Sequence, residues 1–391
     1  MAETSKLYVK PQPRWFHPGE EAELLTELEQ MERNSLLIPV SSLRQLRLNP
    51  DGRIQEANLR FAQSAFLQAC RLLSPGLGSL TVNLVDEEEQ RELPRREDFA
   101  AAVQTFNLIL EHRFRRLLPM RMLYNYHLKQ IDGFLGPTHK PLNNSTLYNE
   151  ATHAMGQSDP PTTFHSAALL GRRFSLRFRT VSPLFEMTIG AIRVPFYWAW
   201  CFSNGETTGY SVRATAGLCG PTGMSLLRGR RTPHSTQGFE TRLRKLLGLA
   251  LRLEPERVSL QESVARLVKT PLAFAEVERE PALLVKALIY SLTQRSVPRW
   301  LAIRVVDQAI YLGWDQKRIS GLLPQVFAKR TAFDLYCHLV YEARRLDLDR
   351  RDKVERFAHT MLSPDFLWFR KLETSAILPP RKPVSPKETS S

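Results

Sequence analysis

"GRRFSLRFRT", residues 171–180, indicates the fold class, because its apolar residues recur with a period of two. Phe174, Leu176 and Phe178 fall on one side of the pattern. The other side carries polar residues, namely Arg173, Ser175, Arg177 and Arg179. Such alternation is typical of a β-strand with one buried face. The stretch holds four arginines and no acid, so the sequence predicts a strand whose open face is cationic.

Strand-like segments continue on both sides of this stretch, from residue 120 to residue 220. Residues 120–136 alternate as one strand, and the pattern over 185–202 changes parity after Gly190, which predicts a β-bulge there. Helical spacing predicts N-terminal helices over 20–33, 57–73 and 96–117, and it dominates again after residue 235. We therefore expect an α+β fold: a central, mostly antiparallel twisted sheet flanked by N-terminal helices, with a C-terminal helical section.

Four segments are predicted along the 391 residues. An extended N-terminus with a short acidic helix covers 1–35, and an α+β core with the basic sheet covers 36–235. A helical section covers 236–365, and the composition of 366–391 is typical of a disordered tail.

The net charge of +14 is concentrated in the middle of the chain. Residues 1–100 carry a net charge of −4, residues 101–250 of +11, and residues 251–391 of +7. A local excess of this size favours a polyanionic partner, with nucleic acid first, an anionic membrane surface next and an acidic protein third. A protein that is merely soluble and basic stays an alternative.

Outward positions of the predicted strands form one candidate binding face with few acids. Its members and the basic residues that follow it are Arg173, Arg177, Arg179, Arg193, Arg213, Arg228, Arg230, Arg231, His234, Arg242 and Lys245. Such a face suits a sugar–phosphate backbone, without the residues expected for reading bases. The alternative is that helices cover the face and pair its arginines with their own acids.

Basic residues around His234 precede a predicted helix that Ser235 or Thr236 caps. The exposed N–H groups of a helix N-terminus bind phosphate, so this link is a candidate phosphate clamp. A flexible basic loop without a ligand is the other interpretation.

The sequence favours a non-catalytic protein of the cytoplasm. No phosphate-binding glycine loop, zinc-protease motif or nucleophile elbow is present, although catalytic groups from distant positions stay open. The spacing of Cys70, Cys201, Cys219 and Cys337 matches no metal motif, so we expect buried free thiols, no metal and no cofactor. The N-terminus lacks the apolar core of a signal peptide, and no apolar run is long enough to span a membrane, so no membrane partner is expected.

Several weak motifs, in order, resemble an uncharacterised family of phage- and plasmid-borne bacterial proteins. They are "LRLNPDGRIQEANLRFAQSAFLQAC", "IDGFLGPTHKPLNNSTLYNEA", "FSNGETTGYSVRATAGLCGPTGMSL", "RRTPHSTQGFETRL" and "TAFDLYCHLVYEA". The resemblance covers residues 40–362 and departs from the family at "GPTGM" after Cys219 and at Cys337. It implies a bacterial mobile element and work on DNA replication, recombination or evasion of host defence. It implies no activity and no catalytic residue.

The leading hypothesis is a protein of a mobile element that holds nucleic acid through phosphate contacts with low sequence specificity, in replication, recombination, annealing or protection. Single-stranded DNA, duplex DNA and RNA all stay open as ligands, as does a homo-oligomer. One alternative is an interaction factor that inhibits a host defence or restriction complex, with an acidic host protein as partner. A second alternative is an unrecognised enzyme acting on nucleic acid.

Overall fold

The structure, a computed structural model, describes most of the chain. The described residues are 7–41, 43–55, 58–74, 77, 96–113, 120–137, 139, 141–189, 191–207, 211–227, 230–233, 239–252, 255–270, 299–307 and 331–363. Among them, no helix is both long enough and apolar enough to cross a membrane. The expected α+β class is confirmed, since the described residues form both helices and largely antiparallel sheets.

A five-stranded sheet is built from segments near the N-terminus and from a central hairpin. In chain order its strands are β1 (Tyr8–Val9), β3 (Ser35–Val40), β4 (Arg60–Ala62), β5 (Met120–Asn125) and β6 (Gln130–Leu135). In space the order is β1-β4-β6-β5-β3. Strand β4 runs parallel to β1 and to β6, whereas β5 pairs antiparallel with β3 and β6.

A second sheet has eight strands. They are β2 (Arg14–Phe16), β7 (Thr162–Leu170), β8 (Arg173–Thr180), β9 (Phe185–Ile189), β10 (Ile192–Gly205), β11 (Ser211–Gly220), β12 (Gly223–Leu226) and β13 (Arg230–Pro233). The main path is β12-β11-β10-β8-β7-β2, while β9 pairs with β10 and β13 pairs with β11. Residues 173–180 of the quoted stretch therefore form a strand, as their alternation predicts.

Two expectations about the strands are wrong. Residues 120–136 form the hairpin β5–β6 in the five-stranded sheet, so they do not extend the face of β8. The parity change near Gly190 marks a hairpin instead of a bulge, because Ile192 pairs antiparallel with Ile189. Gly190 itself lies outside the described residues. A tight reversal changes the buried face in sequence just as a bulge does, so parity alone does not distinguish them.

The helices follow the apolar spacing closely. They are α1 (Glu21–Arg33), α2 (Gln63–Leu73), α3 (Arg96–Arg113), α4 (Asn144–Gly156), α5 (Phe239–Leu251), α6 (Arg257–Lys269), α7 (Arg299–Asp307), α8 (Ala332–Ala343) and α9 (Leu348–Thr360). In α1, Leu24 and Leu28 lie one turn apart and are buried, which is the spacing that gives a helix one apolar face. The predicted helix over 57–73 begins later, because Arg60–Ala62 pair as β4.

The chain divides into two compact units that do not follow the four predicted segments. Unit 1 comprises residues 1–178, 200–215 and 229–253, and unit 2 comprises 179–199, 216–228 and 254–391. Strands β8, β10 and β11 have residues in both units, so neither unit is one continuous stretch of chain.

Each unit has its own hydrophobic core. In unit 1, the buried rings of Phe61, Phe66, Phe106 and Phe134 pack with centroids about 5.4–6.1 Å apart. In unit 2, α8 lies at the centre of the core, and Phe333 and Leu339 on it are fully buried. Helix α8 begins with a capping box, in which Thr331 and Asp334 bond each other's backbone N–H groups.

Candidate functional site

The arginines of β8 do not all face solvent. Arg177 is only 3% exposed, so its expected place on an open face is wrong. Strand β8 lies between β7 and β10, and every residue from Phe174 to Phe178 is buried, so both faces of the strand are covered there. Arg173 is half-buried.

Of the two predicted cations of unit 2, Arg193 is exposed and Arg179 is half-buried. The Arg179 guanidinium lies 4.2 Å from the ring centre of Tyr197, an arrangement that favours a cation–π interaction. Arg193 on β10 is 81% exposed and lies 3.7 Å from the carboxylate of Glu186 on β9. An exposed pair of this kind contributes little to stability, which leaves Arg193 accessible to an anion.

The basic link after β12, which the sequence predicts as a phosphate clamp or alternatively as a flexible loop, contains the strand β13. In β13, Arg231 pairs with Arg213 of β11, and Arg230 pairs with Ala214. The structure thus brings the backbones of Arg213, Arg230 and Arg231 together in unit 1.

The remaining predicted residues are only partly described. Arg228 and His234, with the proposed caps Ser235 and Thr236, lie outside the described residues. On α5, Arg242 is half-buried and Lys245 is exposed.

A cavity of about 660 Å³ in unit 1 gathers basic residues that the sequence did not group. It lies among the N-terminal segment, α1, the turn before β4, the β5–β6 hairpin and the β7–β8 turn. Six cationic residues line it, against the two acids Glu27 and Asp132; the six are Lys10, Arg14, Arg53, Arg60, Lys129 and Arg172. The balance of charge favours an anionic ligand.

Arg172 and Asp132 form the buried side of this cavity. The Arg172 Nε atom donates to Asp132 Oδ2 at 2.7 Å, and Nη1 donates to Glu206 Oε2 at 3.1 Å. Nη1 also reaches the Met31 carbonyl at 3.2 Å, and Nη2 donates to Ser35 Oγ. With all three nitrogens engaged, the guanidinium is held in one orientation.

Burial and ion pairing act against each other in this network. Burial raises the pKa of Glu206, and the neighbouring Arg172 opposes the rise. Burial alone would lower the pKa of Arg172, but Glu206 and Asp132 raise it on balance. Arg172 is therefore a fixed positive charge, and two of its nearest neighbours are acids.

The cations nearer solvent differ in how far they are neutralised. Arg14 is paired with Glu23, at 2.8 Å, and with Glu27. Burial raises the pKa of Glu27, although the neighbouring Arg14 opposes that rise. Lys129 lies in the turn between β5 and β6, is exposed, and has no carboxylate within ion-pair distance among the described residues.

Sequence spacing could not have shown this cavity. Its cations lie between residues 10 and 172, and the first hundred residues have a net negative charge. Arg172 lies in the quoted stretch, but the period of two places it on the side of Phe174 and Leu176 and not on the predicted cationic face. The pairing of β4 with β6, which links Arg60 to Gln130, brings the distant segments together.

Unit 2 contains a serine and a histidine at hydrogen-bonding distance, the geometry of a nucleophile and its base. Ser225 Oγ lies 3.2 Å from His359 Nδ1 and accepts a hydrogen bond from the Tyr336 hydroxyl at 2.9 Å. Ser225 is 0% exposed, so no substrate reaches it in this conformation. We interpret the three residues as a buried network that satisfies its own polar atoms.

The four cysteines are free and buried, as predicted. Within the described part of the chain, no group of three or more His, Cys, Asp and Glu side chains is arranged to hold a metal ion.

No family model, curated protein or solved structure matches the chain. The resemblance to phage- and plasmid-borne proteins, and the mobile-element origin that it implies, therefore stay predictions.

Proposed function

We propose that the protein binds nucleic acid without catalysis, through phosphate contacts at the unit 1 cavity. The observation that carries the proposal is the lining of that cavity, where six cationic residues face two acids. Phosphate contacts hold a strand with little dependence on its sequence, which agrees with the low specificity expected from the arginine-rich strands. Arg213, Arg231 and Lys245 of the same unit stay predicted contacts.

Lys129 is the sharpest probe of this proposal. It is exposed and makes no ion pair among the described residues, so removing its charge disturbs no network. Neutralising a cation that contacts a phosphate releases fewer counterions, and for a single strand the salt slope then falls by about 0.7.

Fluorescence anisotropy with a labelled 20-nucleotide oligothymidylate, its duplex and RNA, over a salt series, measures that slope. We expect Lys129→Gln to weaken binding and flatten the slope. Lys269→Gln is the matched control, because Lys269 is an exposed lysine at the end of α6 in unit 2. Absence of binding at low salt, or equal effects of the two substitutions, would refute the proposal.

A further inference from the structure

We propose that the unit 1 cavity takes a single nucleoside monophosphate unit, with the phosphate at the outer cations and the base or sugar against apolar side chains. This inference rests on the proposed function and names the part of the nucleic acid that enters. The unit is the same chemistry whether it belongs to a strand or to a free nucleotide.

Exposed apolar side chains at the cavity indicate an organic ligand in addition to phosphate. Leu128 is 58% exposed, Val9 is 38% exposed, and both line the cavity together with Pro11. A phosphate track needs only donors and positive charge, so these side chains gain nothing from phosphate alone. A base or a sugar ring would cover them and remove their apolar surface from water.

The buried side of the cavity has both hydrogen-bond donors and acceptors. Gln130 Nε2 donates to Asp132 Oδ1 at 2.7 Å, while Asn125, which is 6% exposed, lies beside them. The Asp132 carboxylate repels phosphate, and its two oxygens already accept hydrogen bonds from Arg172 and Gln130. The exposed donors and acceptors beside it can bond sugar hydroxyls and the polar edges of bases. The distribution of charge therefore places the phosphate near Lys129 and the rest of the nucleotide towards Asp132.

The size of the cavity excludes a duplex from its interior. A volume of about 660 Å³ matches the clefts that hold small molecules, which measure about 300–1,000 Å³. The bases of a duplex are stacked inside the double helix, and a base reaches a protein pocket only when its nucleotide is flipped out. We therefore infer that single strands or strand ends bind here in preference to duplex.

Competition against labelled 20-nucleotide oligothymidylate tests the inference. The competitors are thymidine monophosphate, thymidine and inorganic phosphate. We expect thymidine monophosphate to displace the oligonucleotide completely, and thymidine and phosphate each to need at least tenfold higher concentration. The corresponding duplex is expected to compete less well than the single strand.

Leu128→Ser separates the apolar contact from the charge. We expect this substitution to weaken the binding of thymidine monophosphate at least fivefold and to leave the binding of inorganic phosphate unchanged. Leu108→Ser is the matched control, because Leu108 on α3 is also 58% exposed and does not line the cavity. Equal effects of the two substitutions would overturn the inference.

The outcomes distinguish this inference from the proposed function. Oligonucleotide binding that thymidine monophosphate does not displace would overturn the inference and leave nucleic-acid binding in place. Direct binding of thymidine monophosphate, measured by calorimetry, without any binding of the oligonucleotide would refute the proposed function and leave a site for free nucleotides only. If neither ligand binds, both are refuted.

Discussion

Two buried groups of unit 2 should make its stability respond to pH in opposite directions. Burial raises the pKa of Asp334 from 3.8 to about 7, against the hydrogen bonds from Thr331. Burial lowers the pKa of His359 from 6.5 to about 4, against its bond with Ser225. The carboxylate thus destabilises the folded state as the pH rises from about 4 to 7, and the imidazolium destabilises it as the pH falls from 6.5 to about 4.

The two magnitudes nearly cancel. One pKa unit corresponds to about 1.4 kcal/mol, so the shift of Asp334 gives about 4 kcal/mol and that of His359 about 3 kcal/mol. Between pH 4 and 6.5 the contribution of these groups to the free energy of unfolding is nearly flat in the wild type. We expect Asp334→Asn to gain stability as the pH rises over this range, and His359→Asn to lose it. The double variant returns to a flat profile.

Amide hydrogen exchange, measured by mass spectrometry and corrected for the intrinsic rate at each pH, reports the pH dependence of local stability. Peptides from α8 and α9 measure the opening free energy of unit 2, and peptides from β5 and β6 of unit 1 are the internal control. Single variants whose α8 peptides keep the wild-type pH profile would refute the reasoning.

Two further substitutions test the buried arginines of unit 1. Arg172→Ala leaves Asp132 and Glu206 buried without their cation, so urea denaturation should show a loss of about 3–5 kcal/mol; a loss below 1 kcal/mol would contradict the network. Arg177→Glu puts a carboxylate at a position that is 3% exposed, and we expect a loss of several kcal/mol and a lower melting temperature, whereas an unchanged transition would restore Arg177 to the binding face.

Sequence periodicity correctly predicted strands and helices, but it did not show which of their faces other elements bury. The alternation of 171–180 correctly predicts β8, and the spacing of Leu24 and Leu28 correctly predicts α1. A period of two shows which residues share a face, yet it cannot show that a second layer covers that face. For this reason the alternation predicted that Arg177 lies on an open face, whereas the structure shows that it is buried.

The cavity illustrates a different limit. Lys129 and Arg60 become neighbours only through the parallel pairing of β4 with β6, and nothing in either local sequence specifies that partner. Charge totals over a hundred residues also concealed the cluster, because the acids of α1 and of the segment around residue 88 offset its cations. Contacts between distant segments decide such a site, and they are what a single sequence shows least.

Because the two units are discontinuous in sequence, they are completed at different times during synthesis of the chain. Unit 1 receives its last segment when residue 253 has been made, whereas unit 2 waits for residues beyond 254. Its earlier parts, which contain the buried residues Phe185, Phe196 and Leu218, must meanwhile stay without the helices that form the rest of their core. Domains made first generally fold first, so unit 1 can fold while these strands are still incomplete. A fragment that starts at residue 254 would lack part of its own core, and the C-terminal helices can complete it only as part of the longer chain.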